Sequence, residues 1–288
     1  MAVRIVCDST TYMPRRLIDQ YEIEEVSLSV VWGDSSVREL DITDLDAFYE
    51  ELRKMDNLPT TSQPSVGEFL EVYRPIIDAG EDIVSVHFSS GVSGTYQSAC
   101  QAREQLIRDG VDPGRISVVD TGSACGGYAL IALAAASSAS AGGEMAEVLE
   151  ALEQMSEGLS FWFAVDTLEY LRRGGRIGAV ANMVGTAIQI KPILTVTAQG
   201  IIPVERVRTQ SRVLARLEDL AAENKPVGGE FIVQHIQAPE LADSVIDGCR
   251  RRFGRNPCFE ASEVGPVIGA HAGPGLIGIG VFPPDLIY

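Results

Sequence analysis

Residues 82–99 read DIVSVHFSSGVSGTYQSA: a β-branched apolar run, 82–88, handed on to four serines, a threonine and two glycines in residues 89–99. The run has the length and composition of a buried strand, the glycines break it, and the residues after Ser93 or Thr95 read as a helix. A turn needs two or three such polar residues, so the surplus of hydroxyls asks for a second role.

The same strand–turn–helix unit recurs through the first half. Residues 3–7 are a strand closed by Asp8-Ser9-Thr10-Thr11, with Pro14 placed to start a helix. Residues 26–32 read as a second strand. Thr43 with Asp46, and Ser65 with Glu68, have the spacing of capping boxes for helices running to Lys54 and Ala79. Residues 83–88 and 116–119 are further strands, and a helix near Cys125 follows the latter. The alternation predicts an N-terminal α/β domain with a parallel sheet. From about residue 160 the rhythm changes: strands at 161–165 and 191–196, a turn at Gln199-Gly200, a hairpin partner at 201–207, a helix at 209–223, a strand at 231–235, a helix at 239–253 and a strand region over 259–282. The expectation is two domains, residues 1–160 and an α+β domain over 161–288.

With 288 residues, 45% of them hydrophobic and 22% charged, the chain has the composition of a soluble globular protein. A net charge of −17 opposes nucleic acid and anionic lipid surfaces. Five cysteines at 7, 100, 125, 249 and 258, with no CxxC, encode neither a disulfide framework nor a metal site, so no metal is expected. The opening MAVRIVCDST lacks the pattern of a signal peptide, and a cytoplasmic location is expected. Residues 124–141 carry no charge but are diluted by serine and glycine, which predicts a buried helix rather than a membrane span.

In a parallel sheet, ligands lie beyond the carboxyl ends of the strands. Four polar clusters fall there: Asp8-Ser9-Thr10, residues 89–95, residues 120–123, and TTSQPS at 60–65. Singly each is a set of capping and turn residues. Jointly they suit an anion, a carboxylate or a phosphate, held by hydroxyls and free amides at helix N-termini. No Walker motif occurs, and the GxGxxG at 273–278 lies too near the C-terminus for a dinucleotide fold. GVSGT at 91–95 is out of phase with the GxSxG nucleophile elbow, so a serine hydrolase using Ser93 with His271 stays open but unmarked. His87, inside an apolar strand, reads as a satisfied core residue, whereas His271, between small residues in GAHAGPG, reads as accessible. Residues 171–216 hold eight Lys or Arg against a single acid, with RRGGR at 172–176 bunching three guanidiniums as many phosphate sites do. A solvated face paired to the acidic remainder is the alternative. Residues 177–190 are apolar and uncharged, either a core helix or a helix that lines a ligand channel or touches lipid during ligand transfer.

Together CDS at 7–9, TTSQPS at 60–65, SSGVSGTYQSA at 89–99, VDT at 119–121, LEYLRRGGRI at 168–177, IKPIL at 190–194, RVRT at 206–209 and IGAHAGPG at 268–275 resemble the DegV family, in family order over nearly the whole chain. The resemblance implies a two-domain α/β protein that holds one long-chain fatty acid in a tunnel between its domains. It implies that Thr61 and Ser93, with Ser62 and Gly94 of the same motifs and His271, hold the carboxylate. Arg176 and Arg208, with Arg172 and Arg173, would lie toward the phosphoryl group or a partner. It further implies a carrier without catalytic activity or cofactor, which presents the acid to a separate ATP-dependent kinase subunit for acyl-phosphate formation and phospholipid synthesis, with transient membrane contact. Where the family's strand-end aspartate is commonly followed by serine, Thr121 follows Asp120 and keeps the hydroxyl.

Overall fold

A computed structural model describes residues 2–183, 190–259 and 262–287. The first half comprises β1 (Val3–Asp8), α1 (Arg15–Gln20), β2 (Glu24–Val26), β3 (Ser29–Trp32), β4 (Ser35–Arg38), α2 (Leu45–Lys54), β5 (Thr60–Ser62), α3 (Val66–Asp78), β6 (Asp82–His87), α4 (Thr95–Arg108), β7 (Ile116–Asp120) and α5 (Cys125–Ser140). The second comprises α6 (Met145–Gly158), β8 (Ser160–Ala164), α7 (Glu169–Arg173), β9 (Lys191–Thr197), β10 (Gly200–Val207), α8 (Gln210–Asn224), β11 (Glu230–His235), α9 (Pro239–Phe253), β12 (Ser262–Glu263), α10 (Pro266–Ala272) and β13 (Ile277–Phe282).

Strands β2-β1-β6-β7 form a parallel sheet in that order, and β10-β9-β8-β13-β11-β12 a mixed sheet in which only the β11–β12 pair is parallel. The expected α/β architecture is present. Helices α3 and α4 cover one face of the parallel sheet, through Phe69, Tyr73, Ala99 and Leu106. Helices α8 and α9 cover the outer face of the mixed sheet, through Leu217, Ala221, Val245 and Cys249. Between the two sheets lies α5, buried from Cys125 through Ala136. Its alanine-rich, chargeless sequence follows from that position: with a sheet on either side it has no wet face to carry polar residues.

Several boundaries depart from the expectations. The run 26–32 is two strands in two sheets: β2 pairs in parallel with β1, while β3 turns away at Ser27-Leu28 to pair antiparallel with β4 and β5. This third sheet lacked an apolar signature, because β4 is exposed throughout and β5 is Thr-Thr-Ser. The cap of α2 is Asp44, which accepts from Ala47 N at 2.9 Å, rather than Thr43. The Ser65–Glu68 capping box is present at α3. Within 259–282, expected as strand, the chain makes a helix, α10, entered at Pro266 and ended at Gly273 in a positive-φ conformation. The apolar stretch 177–190 forms a short 3₁₀ helix, Gly178–Met183; residues 184–189 lie outside the described residues.

Candidate functional site

The surplus hydroxyls of the β6–α4 loop divide into two jobs. Ser89 Oγ donates to Thr197 O at 2.6 Å and accepts from Gly91 N, while Ser90 N donates to Asp120 Oδ1. These tie the loop to the β9–β10 hairpin so closely that a Cβ on Gly91 would stand 2.3 Å from Gly200 N. Ser93 does something else. Its Oγ pairs with Thr95 Oγ1 at 2.9 Å and borders a cavity between the loop, β5, α10 and the inner face of the mixed sheet.

That cavity holds about 860 Å³ of space, its open mouth included. Its walls are mostly apolar, among them Leu28, Phe88, Phe163, Ile201 and Leu276, with Phe161 and Val196 along one side. Polar side chains on its lining are Thr61, Gln63, Ser93, Arg176 and His271, together with Gln234. Thr61 comes from β5, held in register by the pairing of that short strand with Val30. Its Oγ1 lies 2.7 Å from His271 Nε2.

His271 stands in the last turn of α10. Its other nitrogen, Nδ1, is buried against the backbone of Gly174 and meets no partner in hydrogen-bond geometry. Burial, with the neighbouring Arg176 charge, lowers its pKa to about 4, against a weaker opposing influence of the Gly174 backbone. The imidazole is therefore neutral at physiological pH. Helix α10 is fixed at its other end by Glu39, a buried carboxylate that accepts from Val267 N and Tyr12 Oη at 2.8 Å each and from Ser9 Oγ at 2.5 Å. Burial outweighs those three bonds and raises the Glu39 pKa to about 7.

The structure brings Thr61, Ser93, Arg176 and His271 to one cavity. Gly94 is the N-cap of α4, against the Gln63 amide. Arg176 also bonds Val92 O and Gly174 O. Ser62 points elsewhere, exposed at the end of β5 with its Oγ on Gln63 O. Arg172 is exposed and pairs with Glu169, Arg173 reaches Asp56 O, and Arg208 is exposed between β10 and α8; none of the three lines the cavity. The bunched guanidiniums of RRGGR thus separate: Arg172 and Arg173 are consecutive residues of α7 with different partners, and Arg176 lies beyond the helix after Gly174-Gly175. Much of the remaining basic segment is neutralised, Lys191 by Asp166 and Arg216 by Glu205 and Glu223. In the clusters at Asp8 and Asp120 the aspartates serve the fold, Asp8 holding Thr10 and His87 and Asp120 accepting from the amides of Ser90 and Gly122. Sequence reasoning passed over Gln63, Glu39 and Gly174. Gln63 sat in plain view within TSQP, whereas Glu39 looked like one more surface acid.

A second constellation has the geometry of a catalytic triad. Ser85 Oγ lies 2.7 Å from His87 Nε2, and His87 Nδ1 lies 3.1 Å from Asp8 Oδ2. All three residues are completely buried, Ser85 Oγ also meets Tyr73 Oη, and Asp8 also holds Thr10. None of these three residues lines any of the four cavities found among the described residues, and with every partner satisfied the network is core cement.

Over residues 2–284 the chain matches the family described as "Uncharacterised protein, DegV family". It belongs to the DegV family. It is 42% identical to the DegV domain-containing protein SCO2569 of Streptomyces coelicolor, covering 96% of this chain and 97% of that one, and 33% identical to protein DegV of Bacillus subtilis, covering 97% and 98%. Among solved structures it resembles DegV, a fatty acid binding protein from Bacillus subtilis, with a TM-score of 0.86 and 32% identity over 98% of this chain and 100% of that one. A stearic acid-binding protein from Eubacterium ventriosum superposes with a TM-score of 0.87 at 25% identity, covering 97% and 98%. Among the described residues of this chain no helix is long and apolar enough to cross a membrane, and no group of three or more His, Cys, Asp or Glu could hold a metal ion.

Proposed function

We propose that this DegV-family chain is a carrier that holds a long-chain fatty acid between an N-terminal body, residues 1–160, and a C-terminal body, residues 161–288. It presents the acid's carboxylate to a separate ATP-dependent kinase subunit, which forms the acyl phosphate, and it contacts membranes only transiently when loading or unloading. The observation that carries the reading is one apolar cavity with Thr61, Ser93 and His271 gathered on its lining. Each buried methylene of the tail contributes about 0.8 kcal/mol, so the walls supply the affinity. The hydroxyls offset the lost hydration of the carboxylate, which would cost several kcal/mol if left unpaired. Neutral donors leave an oxygen free to attack phosphorus, which a bidentate arginine would not. Arg176, alone of the four candidate arginines in lining the cavity, meets the incoming phosphoryl charge.

Two related structures support the acyl ligand by what they bind, and a hydrolase is disfavoured by hydrogen bonding: Ser93 pairs with Thr95, and His271 with Thr61. Extraction and mass spectrometry of the purified protein test the reading. Bound fatty acid, or uptake of labelled acid after delipidation, is expected, and Thr61→Ala or Ser93→Ala should weaken phosphoryl acceptance from a partner kinase far more than folding. A protein that neither carries nor takes up fatty acid overturns it, and ester turnover abolished by Ser93→Ala would install the hydrolase instead.

A further inference from the structure

A second cavity of about 760 Å³, its mouth included, lies behind the first. The two share Phe161 and Val196 among their linings, so these side chains stand between them. The chambers differ in chemistry. The first is walled mainly by aliphatic and aromatic groups, whereas the second is bordered by the hydroxyl residues Thr121, Ser123, Ser156, Ser160, Thr195 and Thr197.

Phe161 is held firmly in place. A Cβ on Gly127 of α5 would lie 3.1 Å from its Cβ and Cγ, one on Gly278 3.2 Å from Cζ, and one on Gly280 3.2 Å from Cδ2, so three glycines form the slot that receives it. Its carbonyl accepts Thr195 Oγ1 at 2.7 Å, and the residue is only 9% exposed. Its place along β8 also matters. Phe163, on the same face, lies about 7 Å nearer the carboxyl end of the strand at ~3.3 Å per residue, and beyond that end come α7, Gly174 and His271. Phe161 is thus the aromatic wall residue of β8 farthest along the strand from the His271 end of the cavity.

We propose that Phe161, backed by Val196, is the partition that ends the acyl tunnel, and so a determinant of which acids this chain accepts. The proposal rests on the fatty-acid reading above and adds the limit on the ligand. Beyond the partition an alkyl tail would meet a polar lining in which Thr121, Thr195 and Thr197 already hydrogen-bond backbone carbonyls, a surface that offers it less apolar contact than the first chamber does. The wall confines the ligand to an unbranched chain with an apolar terminus that fits the first chamber. Removing the ring merges an apolar tunnel with a hydroxyl-lined one, room for a longer tail or one ending in a hydroxyl.

The test is competitive loading of delipidated wild type, Phe161→Ala, Phe161→Leu and Val196→Ala with an equimolar mixture of laurate, palmitate, behenate and 16-hydroxypalmitate, followed by extraction and mass spectrometry. In Phe161→Ala the bound ratio of behenate to palmitate is expected to rise roughly tenfold, because the space vacated by the ring buries about two more methylenes, and the ratio of 16-hydroxypalmitate to palmitate is expected to rise as its hydroxyl reaches the polar side. Phe161→Leu and Val196→Ala should show smaller rises. If Phe161→Ala does not fold, Val196→Ala decides, since it thins the same wall from β9. Variants that load as much acid as wild type and rank the mixture identically overturn the partition alone. A wild type that loads nothing overturns the lipid reading, and the partition with it.

Discussion

His87 and His271 each meet a hydroxyl oxygen at 2.7 Å, yet one is sealed within the parallel sheet and the other borders the cavity. His87 has both ring nitrogens engaged, by Ser85 and by Asp8, and its Ser-His-Asp geometry can reach no substrate. His271 has one nitrogen on Thr61 and the other buried without a partner. The lesson is that side-chain constellation does not mark a site; access does. A fully satisfied buried network contributes stability and specificity of packing, whereas an incompletely satisfied one beside a cavity is poised for a ligand.

The comparison breaks most readily on stability. His87→Ala leaves Ser85 and Asp8 short of a partner in a sealed core, and a loss of about 3 kcal/mol is expected. His271→Ala frees Thr61 beside a cavity that can admit water, and should cost less than about 1 kcal/mol while impairing fatty acid binding. Urea titrations of the two variants, with m-values compared to wild type, measure both. Equal losses would mean that His271 is core cement too.

A smaller effect concerns pH and sharpens the contrast between the two ends of α10. The His271 pKa is lowered from 6.5 to about 4 by burial and Arg176, so the unfolded chain binds that proton more tightly. Its contribution is full above the ordinary value and is lost as the pH falls toward 4, by at most ~1.4 kcal/mol per pH unit. Glu39 behaves oppositely: with its pKa raised from 4.5 to about 7 by burial, its contribution is full below 4.5 and is lost as the pH rises toward 7. Over the shared window the two slopes oppose each other, with His235, also lowered by burial, acting in the sense of His271. Stability is measured by denaturation between pH 4.5 and 6.5, with the wild-type profile as reference. Relative to wild type the profile should tilt downward with rising pH in His271→Asn and upward in Glu39→Gln. Parallel profiles in all three proteins would remove the opposition.

How far the sequence discloses such differences depends on the range of the interaction. The βα units were legible because strand and helix periodicities are local, and α5 was legible because eighteen chargeless residues too rich in serine and glycine to span a bilayer have to be buried. The hydroxyl clusters announced the two segments, and the family resemblance singled out Ser93 and Thr61 within them. Nothing local could announce that Thr61 meets His271, 210 residues away, or that Ser89 serves the hairpin while Ser93 serves the cavity. Helix α10 was hidden because a seven-residue element of Pro, Gly and Ala with two β-branched residues has weak helical propensity and is made by its packing. Glu39 was hidden because only the fold buries it.

Gly174 offers a gentler probe of the same site. A Cβ there would stand 2.2 Å from His271 Nδ1, so Gly174→Ala forces the imidazole off Thr61. A stability cost of ~1 kcal/mol and a roughly tenfold loss of fatty acid affinity are expected, read by denaturation and by displacement of a fluorescent acid. Gly67→Ala, exposed in α3 with its nearest neighbour at 3.7 Å, serves as control and should stabilise slightly.

The smallest expected effect separates two arginines that the sequence placed in one cluster. Arg172 is exposed and engaged with Glu169 three residues away on α7, a surface pair screened by salt. Arg176 lies on the cavity wall and shares the His271 neighbourhood. Arg172→Ala should therefore leave the denaturation midpoint and the fatty acid affinity unchanged within error, while Arg176→Ala, assayed with a partner kinase and a saturating acid, should slow phosphoryl transfer. A large loss from Arg172→Ala with Arg176→Ala silent would move the phosphoryl-facing charge out of the cavity and onto the exposed face of α7, where the sequence had equally allowed it.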